Sequence, residues 1–296
     1  MPATTSTGRR TAGTLPGIAT PEGEGITVYR PFPSRAAREI DPFLLLDRLG
    51  PVTVEPGAGA GFAPHPHAGF EVVSYVLQGG LEHRDSAGHR GRLGPGDVQW
   101  MTTGGGIVHS EMPSERLRTE GGTLEAIQLW VNLPARHKQV LPRYGDIPAE
   151  RIPAAATPDG LARVRVISGE ALGQRAELPL RTAFTYLHWT LAPGAVVHQP
   201  VPEGSEAMVY LLTGHAVLGA DGFEAARDQL VRFGPGGGHV TMQVPADAAP
   251  TELLLLAGMP IGEPVARSGP FVMNTMEEIK AVVGRYKAGE LGEVGE

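Results

Sequence analysis

The chain has 296 residues, enough for two domains of ordinary size, and its net charge of −7 comes from 25 basic and 32 acidic residues. With the acidic excess spread along the chain, we predict neither direct nucleic-acid binding nor attraction to an anionic membrane. Cysteine is absent, which excludes disulfides and thiolate metal ligands, while 41 glycines and 27 prolines favour a turn-rich, all-β fold.

The N-terminal segment, residues 1–24, is rich in Gly, Thr and Pro and lacks hydrophobic periodicity, so we predict a flexible tail. Arg9 and Arg10 are not followed by an apolar stretch, and we therefore expect no export signal. Apolar runs in this sequence are all shorter than the roughly 18 residues of a membrane span. These features together predict a cytoplasmic protein.

Two similar halves follow the tail. Residues 25–145 form the first predicted domain, where short apolar runs such as Val72–Leu77 alternate with glycine-rich turns, as in an antiparallel barrel or sandwich. Residues 146–162 carry several prolines and alanines and are interpreted as a linker. Residues 163–296 repeat the strand-and-turn pattern, for example at Thr185–Leu191, so we predict two barrels.

A short amphipathic helix is predicted at the C-terminal end of the second domain. Thr275 is followed three residues later by Glu278, the spacing of a capping box, and Gly289 is the expected stop. The predicted apolar face consists of Ile279, Val283 and Tyr286. We expect this face to cover one end of a barrel.

Two pairs of metal-competent side chains lie in the first half. His65 and His67 belong to APHPHAGFE, and His109 and Glu111 belong to GGGIVHSEM. Residues i and i+2 of a strand point to the same face, so each pair can direct two ligands into one cavity. Three imidazoles and a carboxylate suit Fe, Mn, Co, Ni, Cu or Zn, with positions left open for substrate or oxygen.

Glu71 is a rival to Glu111 as the carboxylate ligand. Strand parity places Glu71 on the same face as His67, provided that the strand runs without interruption. A bend or bulge at Gly69 would turn Glu71 away and leave Glu111 as the carboxylate. The spacing of the residues leaves both alternatives open.

The second half lacks an equivalent histidine pair. His198 stands in GAVVHQPVPEGSE, but Pro200 occupies the place of a second ligand, and proline cannot coordinate a metal. The remaining polar residues nearby are interpreted as surface groups: Glu203, Glu206 and His239. We therefore expect one metal ion per chain.

Other polar and aromatic residues of the first half receive structural interpretations. Trp100 and Trp130 lie in apolar runs and are expected in the core. Four residues before the LGPGD turn are interpreted as a solvated hairpin, although they could also line the pocket mouth or hydrogen-bond the ligating imidazoles: His83, Arg84, Asp85 and His89.

Several sequence blocks together resemble the pirin family: HPHAGFE, EHRDSAGHRG, LGPGDVQWMTTGGGIVHSEMP, QLWVNLP and GPFVMNTMEEI. The resemblance extends from about residue 26 to the C-terminus. It implies two cupin (double-stranded β-helix, jelly-roll) barrels, with one metal ion, usually iron, in the N-terminal barrel alone. The ligands implied are His65, His67, His109 and Glu111, and Glu111 is also our candidate general base. The ligand types alone would equally accept Mn, Co, Ni, Cu or Zn.

The same resemblance implies a function. Pirin-like proteins include quercetin 2,3-dioxygenases, so we predict an oxidoreductase that opens the heterocycle of a quercetin-type flavonol with O2 and releases CO. One alternative is an iron-dependent regulatory module that docks to a protein partner. Another is a cupin enzyme with a different small-molecule substrate, which would require several polar side chains at the pocket mouth.

Overall fold

The computed structural model describes residues 7–57 and 60–295. It divides into two compact units, each built from segments that are distant in the sequence. The N-terminal unit contains Ile18–Arg151, Leu180–Thr182 and the chain from Ile261 onward. The C-terminal unit contains the chain up to Gly17, Ile152–Pro179 and Ala183–Pro260.

Most of the described residues that have regular structure lie in strands. In chain order the strands are β1 (Thr11–Pro16), β2 (Ile18–Glu22), β3 (Ile26–Phe32), β4 (Phe43–Val54), β5 (Phe62–His67), β6 (Phe70–Gln78), β7 (Leu81–Asp85), β8 (Arg90–Leu93), β9 (Val98–Thr102), β10 (Ile107–Pro113), β11 (Gly122–Asn132), β12 (Arg143–Ile147), β13 (Ala154–Ala156), β14 (Ala162–Ala171), β15 (Gln174–Ala176), β16 (Phe184–Leu191), β17 (Val196–Pro200), β18 (Glu206–Leu211), β19 (His215–Leu218), β20 (Phe223–Ala226), β21 (Gln229–Phe233), β22 (His239–Gln243), β23 (Thr251–Gly258), β24 (Ala266–Ser268) and β25 (Phe271–Met273). The helices are α1 (Glu115–Glu120) and α2 (Met276–Lys287), with short 3-10 turns at Ala135–His137 and Ala149–Arg151. The all-β prediction with a short C-terminal helix is confirmed.

The N-terminal unit contains two main antiparallel sheets. One has the strand order β12-β9-β6-β11-β4-β3-β2, the other has the order β5-β10-β7-β8, and β24 pairs with β25 as a separate hairpin. Alternating residues of the strands supply the core, which includes Val28, Val76 and Leu124, all 1% exposed or less. The sheet that contains β5 and β10 carries the predicted ligands.

The C-terminal unit repeats this arrangement. Its larger sheet has the order β1-β21-β18-β23-β16-β14-β13, with β15 beside β14, and its smaller sheet has the order β17-β22-β19-β20. Apolar side chains such as Trp189, Val209 and Leu255 are fully buried in one continuous core. This interior is therefore filled by hydrophobic packing.

The observed boundaries differ from the predicted tail and linker. Within the predicted tail, β1 pairs with β21 and β2 pairs with β3, while residues 1–6 lie outside the described residues. Backbone ladder hydrogen bonds hold these Gly- and Thr-rich strands, which is why hydrophobic periodicity did not reveal them. The predicted linker also contains a strand, since Ala154–Ala156 pairs with β14.

Helix α2 begins as predicted but buries a slightly different face. Thr275 and Glu278 form the reciprocal hydrogen bonds of a capping box. Ile279 and Val282 are buried, whereas Tyr286 is 40% exposed, so the predicted stripe was wrong at its C-terminal end. The helix belongs to the N-terminal unit and not, as predicted, to the second domain. In the described part of the chain, neither helix is long and apolar enough to cross a membrane.

Candidate metal centre

Antiparallel pairing of β5 with β10 brings the predicted histidines together. His65 stands directly opposite His109, and His67 stands opposite Ile107, two residues along each strand. Because side chains alternate between faces, His65, His67 and His109 share one side of the sheet. One ring nitrogen from each of the three lies within 4.8 Å of the other two.

The His65 and His67 rings present their Nε2 atoms to each other at 3.1 Å. Nδ1 of His65 donates to the Ala63 carbonyl at 2.8 Å, and Nδ1 of His67 lies 3.4 Å from the Pro270 carbonyl. These carbonyls fix the proton on Nδ1, so each neutral ring keeps a lone pair on Nε2. Two lone pairs that face each other fit a cation bound between them, and such carbonyl partners are typical of ligating histidines.

His109 is the most deeply enclosed of the three imidazoles. It is 0% exposed, and neither Nδ1 nor Nε2 has a hydrogen-bond partner among the described residues. Burial, and then the neighbouring histidines, lower the pKa of His109 well below 6.5, and burial followed by His65 does the same for His67. Neutral imidazoles with free nitrogens are the form that binds transition metals.

Glu111 is held beside this group by a set of amide and hydroxyl donors. Ser74 Oγ donates to its Oε1 at 2.9 Å, and Gln128 Nε2 donates to its Oε2 at 2.7 Å. A carboxylate oxygen of Glu111 lies within 4.8 Å of ligating nitrogens of His109 and His83, which form a second group of three. His109 thus belongs to both groups.

The interpretation of His83 as part of a solvated hairpin was wrong. His83 and Asp85 are 1% and 3% exposed, and His83 stands opposite Glu111 in the pairing of β7 with β10. Gln99 Nε2 lies 3.3 Å from His83 Nδ1, and the imidazole stacks on Tyr144 at 4.4 Å. The available sequence signal was the H-x-D spacing, which has the period of a strand. The structure agrees, because buried and partly exposed residues alternate along β7.

Glu71, the rival carboxylate, points elsewhere. Gly69 adopts φ +89° and forms a bend between β5 and β6, which breaks the strand parity. The Glu71 carboxylate accepts hydrogen bonds from Thr102 Oγ1 at 2.7 Å and from the backbone N–H groups of Arg181 and Thr182. Both oxygens are therefore engaged in holding residues 181–182.

The bend at Gly69 is clamped from behind by a buried lysine. Lys138 is 1% exposed and its Nζ donates to the carbonyls of Gly69 and Val272 and to the Asn132 side chain. Burial lowers the pKa of Lys138 to about 8. This clamp fixes the chain immediately after His67.

A cavity of about 1420 Å³ opens onto the centre. His65, His67 and Glu111 contribute to its wall, and Trp130 stands beside His67 with the ring centroids 4.8 Å apart. Trp130 is 7% exposed, so the core assignment was correct, but its remaining surface faces this cavity. The other lining residues include both apolar and charged side chains, among them Arg267.

The histidines of the C-terminal unit form a different arrangement. His198 Nδ1 lies 3.0 Å from Thr241 Oγ1, and the His198 and His239 ring centroids are 5.2 Å apart. Among residues 7–57 and 60–295, both groups of three ligands that could hold a metal lie in the N-terminal unit.

Comparison with known families gives two matches. The family model described as Pirin matches residues 25–131, and that described as Pirin C-terminal cupin domain matches residues 186–292. A pirin-like protein of Solanum lycopersicum is 40% identical over 272 residues, which cover 92% of this chain and 89% of that protein. Pirin of Homo sapiens is 39% identical over 272 residues, with 92% and 90% coverage. The predicted resemblance and the two cupin domains are thereby confirmed.

The fold of this chain also matches a solved structure along nearly its whole length. Quercetin 2,3-dioxygenase from Acinetobacter baumannii matches with a TM-score of 0.90 and 32% sequence identity, covering 97% of this chain and 99% of that one.

Proposed function

Because this chain belongs to the pirin family, we propose that it binds one divalent metal ion through His65, His67, His109 and Glu111. The observation that carries this proposal is the pair of Nε2 atoms 3.1 Å apart beside an imidazole whose nitrogens have no partner. Two ligands at right angles on an ion about 2.1 Å away would be separated by about 3 Å. The histidine pair is therefore already spaced for adjacent positions on one ion.

Iron is our first choice of metal, and the nitrogen and oxygen ligands would also accept Mn, Co, Ni, Cu or Zn. When bound, such an ion would supply a positive charge, which lowers the pKa of a coordinated hydroxyl group. It would also leave open coordination positions for dioxygen. Glu111 lies within 4.8 Å of His109 and His83 but is not grouped with His65 and His67, so binding one ion through all four residues would require its carboxylate to turn away from its present hydrogen bonds. His83, stacked on Tyr144 and held through Gln99, stays behind this carboxylate as support.

The reaction we propose is dioxygenation of a quercetin-type flavonol, with opening of the heterocycle and release of CO. Glu111 Oε2 accepts the hydroxyl proton of the substrate, and the Gln128 N–H that donates to this oxygen holds the ionised carboxylate in position before the transfer. Trp130 contributes only a small part of the cavity wall beside His67, because its ring is stacked on Phe70 and covered by Arg267; the partly exposed Phe62 adds apolar surface to the same wall. The likeness to a solved quercetin 2,3-dioxygenase supports this choice of substrate.

A second candidate is a cupin enzyme that acts on a more polar small molecule. The observation in its favour is the set of charged side chains on the cavity wall, including Arg30, Asp47 and Arg267. A metal-dependent module that binds a protein partner is the third candidate, and it requires no turnover at all.

The test begins with the metal content of the purified protein, followed by anaerobic reconstitution with Fe(II). Quercetin loss and CO release are then measured with and without O2. Oxygen-dependent turnover supports the dioxygenase, whereas its absence with every reconstituted ion would leave the enzyme for a more polar substrate and the partner-binding module.

Glu111→Gln and Glu71→Gln form a matched pair for this test, because both replace a buried glutamate by its amide. We expect Glu111→Gln to lower turnover at least about 100-fold, the scale of a lost general base, and Glu71→Gln to retain metal and activity. Full metal content and full turnover in Glu111→Gln would contradict the role of Glu111.

A further inference from the structure

Arg267 is a charged residue of the cavity wall that the proposed reaction does not use. It lies on β24, and the hairpin of β24 and β25 is fixed next to the histidine strand because Val272 N–H donates to the Ala68 carbonyl at 3.0 Å. The guanidinium lies over the Trp130 ring, 5.1 Å from its centroid. The same indole touches His67, so a single ring separates Arg267 from a proposed metal ligand.

The donors of Arg267 are largely free. Nη1 donates to the Leu44 carbonyl at 3.2 Å, and Nε and Nη2 make no hydrogen bond within the described part of the chain. No described carboxylate lies within 4.0 Å of the guanidinium. The side chain is half-buried and faces the cavity. Asp47, Glu39 and Glu22 act on its positive charge from a distance, but none of them forms an ion pair with it.

Arg30, on the same cavity wall, differs from Arg267 because carboxylates engage its donors. Its Nε donates to Asp47 at 2.7 Å, and it forms ion pairs with both Asp47 and Glu22. The two nearby carboxylates are thus already engaged with Arg30. Arg35 and Arg38 also line the cavity but are exposed to solvent, whereas Arg267 is half-buried beside Trp130 with Nε and Nη2 available to a molecule in the cavity.

We propose that Arg267 selects the substrate, and that the cavity takes a planar aromatic molecule with a carboxylate remote from the oxygens that chelate the metal. This inference rests on the proposed metal-binding function. Phe62 and Val265 provide apolar surface for the ring on the cavity wall. A guanidinium stacked on an indole presents two parallel N–H groups, which match the two oxygens of a carboxylate. Flavonols that carry such a group would be preferred to uncharged ones.

Two catechols provide the test, because they share the chelating group and differ in one substituent. The carboxylate of 3,4-dihydroxybenzoate is replaced by a methyl group in 4-methylcatechol. Their dissociation constants are measured by calorimetry with the Fe(II)-loaded protein under anaerobic conditions. The variants are Arg267→Gln and Arg267→Lys, with Arg35→Gln as the control, because Arg35 is an exposed arginine of the same cavity.

In Arg267→Gln we expect 3,4-dihydroxybenzoate to bind about 10- to 100-fold more weakly, the effect of a lost charge-assisted hydrogen bond. Binding of 4-methylcatechol should change by no more than about twofold, as should binding of both probes to Arg35→Gln. Arg267→Lys keeps the charge but loses the planar pair of donors, so it should fall between the wild type and the Gln variant.

Four outcomes would overturn the inference. Equal weakening of both probes in Arg267→Gln, or no weakening of either, would refute selection by Arg267 while leaving the metal function intact. An equal loss in Arg35→Gln would assign the effect to the general charge of the cavity. Failure of both probes to bind the metal-loaded wild type would overturn the inference, whereas the proposed metal binding is decided separately by the metal content measured before the calorimetry.

Discussion

Replacing Glu71 by Gln tests whether this buried carboxylate is structural. In the wild type, Oε1 accepts from Thr102 Oγ1 and Arg181 N–H, and Oε2 accepts from Arg181 and Thr182 N–H. The amide of the Gln variant retains one accepting oxygen and places an N–H donor where Oε2 stood. The Thr182 N–H then loses its acceptor inside the protein.

The expected loss follows from that single unpaired donor. A buried backbone N–H without a partner costs about 1–3 kcal/mol, and a loss of about 2 kcal/mol would lower the Tm by about 4–8 °C in a domain of this size. Thermal and urea unfolding of wild type and variant at pH 7 would measure both quantities. Metal content should equal that of the wild type.

The pH dependence of the stability difference between the wild type and Glu71→Gln gives a second, independent check of the role of Glu71. Burial is the largest influence on Glu71 and raises its pKa above 4.5, although the hydrogen bonds from Thr102, Arg181 and Thr182 oppose it. Between the unfolded and folded pKa values the folded state binds more protons, so wild-type stability falls as the pH rises through this window. The Gln variant lacks this contribution, and the stability difference should therefore shrink as the pH rises above about 4.5.

Two results would refute this reasoning. A stability difference that widens with pH would mean that the folded protein favours the ionised carboxylate. Loss of bound metal in Glu71→Gln, with metal retained in Glu111→Gln, would exchange the roles of the two glutamates.

Three further predictions concern the same unit. Lys138→Met removes three hydrogen bonds and should lower the free energy of unfolding by about 2–4 kcal/mol in urea. Since burial lowers the Lys138 pKa to about 8, the unfolded chain binds the proton more tightly, and wild-type stability should rise relative to the variant between about pH 8 and 10.5. Gly69→Ala would place a Cβ 1.7 Å from the Val272 carbonyl oxygen. We expect destabilisation above about 3 kcal/mol and poor soluble yield, and a normal melt would contradict the structure. Because the pKa values of His67 and His109 are well below 6.5, metal should be retained in dialysis at about pH 6, where an ordinary histidine is already mostly protonated, and half-loss at that pH would be evidence against this.

The sequence predicted the local geometry of the centre because that geometry has the period of a strand. The i, i+2 spacing was sufficient to predict that His65 and His67 share a face, and likewise His109 and Glu111. Pairing of β5 with β10 then depends on register, which spacing within one strand does not encode. Glu71 could not be assigned for a related reason, since the bend at Gly69 follows from the Lys138 clamp 69 residues away.

Strand β1 and the burial of His83 depend on tertiary contacts that leave little trace in the local sequence. Strand β1 has no apolar period, and it forms because it pairs with β21 while Arg9 is buried against the carbonyls of Pro202, Ser205 and Gly237. His83 was misplaced because polar residues beside a turn usually face water. Its burial follows from pairing with the Glu111 strand and stacking on Tyr144.

The N-terminal unit includes a segment from the end of the chain, and this determines when the candidate metal centre can be completed during synthesis. Residues from Ile261 onward belong to this unit, and the Pro270 carbonyl faces His67 Nδ1. The ribosome makes this carbonyl more than 150 residues after the last of the four proposed ligands. A truncated chain that ends at residue 260 would carry all four ligands and still lack the group that orients His67. If the proposed metal binding holds, we expect stable metal loading to require synthesis of the chain at least through Pro270.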